Sequence, residues 1–341
     1  MPGSFKQQLA AKGRNALFAF CEEQQIPVKR CGKVLLASNE QEIPRMQALA
    51  DNGKRNGLQV QILDPQQLAE IEPHARALAA IYLPEAVIVN YSLVAQALAE
   101  MITGNGAHIK HGFWVEKAQF NAGQAQLSNS LEQLNARYVI NCAGLHSDQV
   151  ARILGARPSA RIVPFRGQYF HLQGSAKKLV RALIYPLPDP KFPFLGVHLT
   201  RTMGGEVLAG PNAVLSFKRE GYQRGDFNLA DSYSTLSYAG FWRFALSNLS
   251  LAAGQYLRAW KGKSFAGALQ KLVPEINPDM LTPGRSGVRA QALGADGKLL
   301  KDFVFEQGPR ALHVINAPSP GATASLAIGR HIAEQALVVA D

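Results

Sequence analysis

The sequence predicts an α/β (α+β) fold of two lobes, in which a discontinuous domain with a parallel sheet wraps around a second domain whose sheet is mixed or antiparallel. Three observations predict it. Two apolar runs, Tyr138–Val139–Ile140 and Leu312–His313–Val314–Ile315, each pass into a turn almost bare of large side chains and then into a helix. Strands covered on both faces lose the polar alternation of half-exposed ones, and a bare turn at the carboxyl end of such a strand lets a ligand approach backbone. Between the two runs, from Ile162 to about Leu215, β-rich stretches alternate with Pro and Gly as in a largely antiparallel sheet. Finally, 341 residues, 47% hydrophobic and 18% charged, suffice for two substantial cores.

The elements follow in order. The first thirty residues predict a helix with Leu9, Ala16, Leu17, Phe20 and Cys21 near helical spacing, and Cys31–Gly32 leads into a short strand at Lys33–Leu36. A second helix is expected from Glu40 to Asn56, carrying Ile43, Met46 and Leu49 and ended by Gly57, followed by a strand at Val60–Leu63 and an Asp64–Pro65 turn. Ser92 is placed to cap a helix bearing Val94, Leu98, Met101 and Ile102; Gly104 closes it and His108–Lys110 begins a strand. A hairpin near Asn121–Gly123 precedes the strand at 138–142, after which Ser147 caps a helix with Val150, Ile153 and Leu154 on one face and Gly155 at its end. Helical segments are expected at about 231–248 and 256–272, then a strand at 312–315, then a last helix with Leu326, Ile332 and Leu337 facing inward.

Composition excludes several classes. Three cysteines without a C-x-x-C pair argue against a disulfide framework or a structural zinc site, and His108-x-x-His111 has neither the helix motif nor the carboxylate of a metal pair. No apolar run approaches bilayer-spanning length and Met1–Ser4 does not begin a secretory signal, so a cytoplasmic or peripheral protein is expected. The net charge of +11 is spread along the chain without any nucleic-acid-binding motif, which fits anionic small molecules better than nucleic acid. The basic, aromatic segment 238–263 could rest on an anionic inner-membrane face, or form an ordinary helix pair covering the sheet.

Six long, ordered stretches carry a resemblance: VINCAGLHSD (139–148), IVPFRGQYFHL (162–172), LIYPLPDPKFPFLGVHLTR (183–201), EVLAGPNAVLSFKREGY (206–222), SGVRAQAL (286–293) and NAPSPGATASLAIG (316–329). Along nearly its whole length the chain resembles the D-amino-acid-oxidase-like FAD-dependent oxidoreductases, and among them the L-2-hydroxyglutarate oxidases and dehydrogenases. The resemblance implies a discontinuous FAD-binding domain of glutathione-reductase type (residues 1–27, 92–160 and 285–341) and a substrate domain (28–91 and 161–284). Members begin with a strand, a G-x-G-x-x-G turn and a helix that hold the pyrophosphate. This sequence has no such motif, and Gly104–Asn105–Gly106 leads into strand-like residues instead of a helix. Met1–Lys6 looks like the segment that follows the unit in relatives, so the chain resembles a member lacking its first βαβ unit, which would expose apolar sheet edges.

The implied reaction is oxidation of a 2-hydroxy dicarboxylate to the 2-oxo acid, with electrons passing from the flavin to quinone or oxygen. Arg289 matches the arginine with which relatives grip the α-carboxylate, and guanidinium suits that bidentate task. Arg166 and Lys218 are candidates for the distal carboxylate. His198 is the candidate base and Tyr185 the candidate that orients the hydroxyl or a carboxylate. Ala143–Gly144 and the turn holding Ser319, Gly321, Ala322 and Thr323 are the candidate flavin contacts, the latter offering free N–H groups at a helix start. Plainer readings stay open: a surface ion pair for Arg289, a packed core histidine for His198, tight turns without a ligand. Two alternatives also remain: a related oxidase of another 2-hydroxy or amino acid, and a non-catalytic chain, either a truncated fragment unable to bind FAD alone or a subunit completed by a second chain that supplies the glycine-rich unit.

Overall fold

The computed structural model describes residues 5–121, 123–189, 196–248 and 262–340. Parts of several stretches read above therefore lie outside the described residues: residues 1–4, residue 122 of the hairpin, residues 190–195 of the LIYPLPDPKFPFLGVHLTR segment, and residues 249–261 of the basic, aromatic segment, which include the first part of the helix expected at 256–272. In chain order the first elements are α1 (Phe5–Glu23), β1 (Val28–Arg30), β2 (Lys33–Ala37), α2 (Ile43–Arg55), β3 (Gln61–Leu63), α3 (Pro65–Ile71), β4 (Ala79–Leu83), β5 (Val87–Val89) and α4 (Tyr91–Gly104). Next come β6 (Lys117–Asn121), β7 (Gln124–Ser128), β8 (Gln133–Ala136), β9 (Val139–Asn141), α5 (Ser147–Ile153), β10 (Ala160–Leu172), β11 (Leu183–Pro186), β12 (His198–Arg201), β13 (Val207–Gly210) and β14 (Val214–Leu215). The last are α6 (Leu229–Leu236), α7 (Ala239–Ser247), α8 (Gly262–Gln270), β15 (Leu281–Gly294), β16 (Val304–Gly308), β17 (Ala311–Asn316) and α9 (Gly321–Ala340).

The largest sheet runs from β15 through β10, β13, β12, β11, β2 and β4 to β3, with β14 beside the first half of β10. It is antiparallel except where β11 meets β2 in parallel, Leu183 opposite Lys33 and Tyr185 opposite Leu35. Val34, Leu36, Ile184, Leu199 and Ala209 point to one face and build the main core with Leu68 of α3 and Phe265 and Leu269 of α8. Side chains alternate along a strand, so Lys33, Tyr185, His198 and Thr200 leave by the opposite face.

A second, three-stranded sheet has the order β16, β17, β9, with β17 and β9 parallel and His313 opposite Asn141. Every residue of β17 is buried. Leu312 and Val314 pack on Leu9 of α1 and Ala324 and Ile328 of α9, whereas Ile315 packs on Ala151 of α5 and Ile162 of β10. The helices α1 and α9 approach so closely that a Cβ on Gly13 would stand 2.5 Å from the Ala324 Cα. Two small antiparallel sheets, the meander β6–β7–β8 and the long-range pair β1–β5, complete the strands.

Several sequence expectations are corrected. The run before the first bare turn is not covered on both faces: β9 is an edge strand among the described residues, and Ile140 is 43% exposed. Asn90, not Ser92, caps α4, its side chain accepting from the Ser92 N–H at 3.0 Å. Ser147 lies inside α5 and donates to the Ile315 carbonyl at 3.3 Å instead of capping the helix. Asp64–Pro65 opens α3 through a reciprocal capping box with Gln67. His108–Lys110 forms no strand, and Leu337 of α9 is 66% exposed. The expected helix over 231–248 is broken between α6 and α7 at Ser237–Tyr238. Among the described residues no helix is long and apolar enough to cross a membrane.

Candidate functional site

The sheet face opposite the main core carries a compact cluster of aromatic and basic groups. The Tyr185 and His198 rings, neighbours across β11 and β12, stack 4.0 Å apart at 15°. Lys33, at the head of β2, holds its ammonium 3.8 Å from the centroid of the Tyr185 ring. Thr200 hydrogen-bonds the Tyr185 hydroxyl, and burial raises the Tyr185 pKa. Arg289 faces Phe165 in the β10–β15 register, and Phe165, Gly167 and Tyr169 alternate to the same face. Burial lowers the Arg289 pKa, partly opposed by Tyr169.

His198 is buried, and its Nδ1 lies 2.9 Å from the Gly196 carbonyl oxygen. A carbonyl can only accept, so Nδ1 carries the proton and Nε2 keeps a free lone pair in the neutral ring. Burial is the main cause pushing the His198 pKa down to about 4; the Gly196 bond opposes it, and the charges of Lys33 and Arg289 add to it. The imidazole is therefore neutral at pH 7, able to accept a proton at Nε2.

Arg166 and Lys218 stand apart from this cluster. Arg166 follows Phe165 in β10, leaves by the opposite face to Arg289, and lines a separate groove with Phe217, Arg224 and Asp226. Lys218 sits in the turn after β14, its carbonyl accepting from the Ser216 hydroxyl at 2.7 Å. Its neighbour Arg219 is the structural residue of that turn. The Arg219 guanidinium is buried against Asp148 at 2.7 Å, bonds the Leu145 carbonyl, and has its Nε 3.5 Å from Asp231. Asp148 is fully buried and also receives Arg152 at 2.7 Å. This network, with Asn141 Oδ1 accepting from the Ala143 N–H at 3.1 Å, holds the Ala143–Gly144 turn rigidly.

The two bare turns leave the same end of adjacent parallel strands, since β9 and β17 run side by side into them. Gly144 has φ +55°, and a Cβ added there or at Gly321 would meet nothing within 4 Å, so backbone is open at both turns. Thr323, in the first turn of α9, bonds the Tyr91 hydroxyl at 3.1 Å and lines a groove of about 710 Å³ whose other walls include Lys33, Leu183 and Thr200. The groove thus runs from the start of α9 to the sheet-face cluster. Thr323 at one wall and Lys33 at the other bring a helix N-terminus and a cation to one groove, which fits the ring end of FAD beside an anionic substrate. A glycine-rich cradle for its pyrophosphate is not in this sequence.

The family model described as "DAO: FAD dependent oxidoreductase" matches residues 2–335. The chain belongs to this family of FAD-dependent oxidoreductases. The oxidoreductase is 41% identical to the mitochondrial L-2-hydroxyglutarate dehydrogenase of Nematostella vectensis, over 98% of this chain and 78% of that protein. It is also 41% identical to the L-2-hydroxyglutarate dehydrogenase of Indibacter alkaliphilus, over 98% of this chain and 85% of the relative. Among solved structures, the FAD-bound L-α-glycerophosphate oxidase of Mycoplasma pneumoniae superposes with a TM-score of 0.77 at 17% identity, covering 98% of this chain and 80% of that one. Glycine oxidase of Geobacillus kaustophilus gives 0.66 at 17% identity, over 96% and 80%. These structures establish the mixed α/β FAD-oxidoreductase fold for the chain.

Sequence reasoning did not single out Lys33, Thr200, Tyr169 or Arg219. The only available signal for Lys33 was a charge heading an otherwise apolar strand, KVLLA, on the parity that also carries Leu35 and Ala37.

Proposed function

We propose that this oxidoreductase converts L-2-hydroxyglutarate to 2-oxoglutarate. The observation that carries the reading is the convergence of Arg289, His198 and Tyr185 on one sheet face, in a chain 41% identical to proteins named for that substrate. Arg289 binds the α-carboxylate with its planar fork. His198 Nε2 takes the C2 hydroxyl proton, for which its neutral state and free lone pair prepare it. Tyr185, anchored by Thr200, fixes the imidazole plane by stacking and orients the hydroxyl. When bound, FAD supplies the two-electron acceptor for the C2 hydrogen, and quinone or oxygen is the onward acceptor. Ala143, Gly144, Ser319, Gly321, Ala322 and Thr323 are the residues that would hold its ring end, by the open turns and the α9 N-terminus.

The test is spectroscopic. The purified chain, supplied with FAD, should show a flavin spectrum that bleaches when L-2-hydroxyglutarate is added without air and stays unchanged with glycine. A flavin that bleaches with glycine and not with the hydroxy acid would refute the substrate; a protein that takes up no FAD would refute catalysis by this chain alone.

The edge position of β9 supports a second statement. We infer that β9 accepts one further parallel strand, from a second chain carrying the strand–G-x-G-x-x-G–helix unit. Its edge, unpaired among the described residues, and the exposed Ile140 side chain give that strand both hydrogen-bond partners and apolar surface. Adding that unit as a separate polypeptide should restore tight FAD binding; no change in affinity would dismiss it.

A further inference from the structure

Recognition of a 2-hydroxy dicarboxylate needs two cations on one face, separated by roughly the length of a five-carbon chain. Arg289 is one. Arg166 leaves by the opposite face and Lys218 belongs to the turn after β14, so neither shares the surface on which His198 and Tyr185 stand. Lys33 does share it. In the parallel β2–β11 register it is the partner of Leu183, two residues from Tyr185, and its ammonium sits over the Tyr185 ring at 3.8 Å.

The surroundings of Lys33 call for an anion. Burial lowers its pKa, and among the described residues no carboxylate contributes to holding its charge. The ammonium is half-buried beside the Tyr185 ring, where water compensates its charge less fully than at an open surface and an anion would be held more firmly. It also lines the groove that reaches from Thr323 to the sheet, so the anion has a way in. His198 feels the positive charges of both Lys33 and Arg289, which places the imidazole within electrostatic reach of each. Across the sheet the three follow in the order Arg289, His198, Lys33, the order of carboxylate, hydroxyl and carboxylate in the substrate.

We propose that Lys33 binds the distal carboxylate and thereby sets the preference for a dicarboxylate over a monocarboxylate of the same length. The inference rests on the L-2-hydroxyglutarate reading and sharpens it by naming the residue that recognises the far end of the substrate. Once bound, the dianion lies against both cations that depress the His198 pKa, so ligand binding itself makes the imidazole a better proton acceptor at the moment it is needed.

The experiment compares equilibrium binding of 2-oxoglutarate and 2-oxopentanoate, which differ only in carboxylate against methyl at the far end, to the purified FAD-supplied chain by calorimetry. Wild type should favour 2-oxoglutarate by about 30-fold, the usual scale for one charge-assisted hydrogen bond. Lys33→Met should bring the two ligands to near parity by weakening 2-oxoglutarate alone, and Lys33→Arg, which keeps the charge, should retain a clear preference. Equal weakening of both ligands in Lys33→Met, or a preference that survives it, overturns the role of Lys33 while leaving the substrate reading intact. A wild type without preference overturns the substrate reading, and Lys33 with it. Unfolding curves on each variant identify any that lose the fold, and Lys33→Arg then decides alone, since loss of preference in a folded arginine variant with unchanged 2-oxopentanoate binding also counts against the proposal.

Discussion

At the scale of single residues, the proposed chemistry turns on a histidine kept neutral. His198 donates Nδ1–H to Gly196, and its pKa lies at about 4 because burial and two nearby cations disfavour the imidazolium. Since the unfolded ring titrates near pH 6.5, the unfolded chain takes up that proton first as pH falls. The stability contributed by the neutral ring is therefore complete above about pH 6.5 and is lost as pH drops towards 4. With His198 as the proposed proton acceptor, kcat/KM should hold level from pH 8 down to about pH 5 and fall only near pH 4. An acid limb centred near 6.5 would show that His198 is not the proton acceptor. Arg289→Met should raise KM on the order of 100-fold, as expected when a buried charge-assisted pair to a carboxylate is lost, while leaving bound FAD in place; an unchanged KM would reassign the α-carboxylate. Arg289 and His198 could be singled out as candidates because each sits in a long stretch resembling relatives, GVRAQ and GVHLT, and the structure sets both on one sheet face. Lys33 was not, because one charge at the start of a short apolar strand reads as a solvated end until the neighbouring strands show what stands beside it.

At the scale of elements, two contacts set the frame around the site. Glu72, following α3, is fully buried and accepts N–H bonds from Arg181 at 2.8 Å and from Ala182, tying that helix to the start of β11. Burial outweighs those bonds and lifts its pKa to about 7. The folded group holds its proton above the unfolded value of 4.5, so its contribution is complete below pH 4.5 and is lost as pH rises through about 7. Glu72→Gln keeps an acceptor for the two N–H groups and should stabilise the protein at pH 8 by up to about 3 kcal/mol relative to its effect at pH 4.5. Equal melting shifts at both pH values would mean the carboxyl is not displaced. The second contact is the α1–α9 crossing at Gly13, where a Cβ would stand 2.5 Å from the Ala324 backbone. Gly13→Ala should cost about 1–3 kcal/mol in urea unfolding despite the better helix propensity of alanine, because backbone cannot retreat as a side chain can. A gain in stability would refute the close crossing. Elements with strong apolar patterning were readable from the sequence, α1 through Leu9, Leu17, Phe20 and Cys21, and β17 through Leu312, Val314 and Ile315. Their ends were less so, since Asn90 and Ser92, or His146 and Ser147, compete for one cap and only the backbone angles decide between them.

At the scale of the whole molecule, the decisive feature is a sheet that stops at β9. The parallel pair β9–β17 places both glycine turns at one end, and α1, α9 and α5 cover the faces of β17, but the outer edge of β9 has no partner among the described residues. The family resemblance implied an exposed sheet edge, yet Tyr138–Ile140 read as buried on both faces; periodicity reports how apolar a strand is, not whether a neighbour is present to cover it. An uncovered strand with Ile140 at 43% exposure is a template for pairing with another chain. The purified chain should therefore associate as concentration rises, and Ile140→Lys, which sets a charge on the edge strand, should shift light scattering towards the monomer mass without lowering the melting temperature. Ile140 lies outside the main core, so the substitution leaves the Tyr185–His198 cluster untouched. If association persists in Ile140→Lys, contact is made elsewhere, and the case that β9 awaits a strand from a second chain loses its physical basis. If association disappears and the separately supplied glycine-rich unit also fails to bind this variant while binding the wild type, self-association and complementation share one edge, and the cofactor site is completed there.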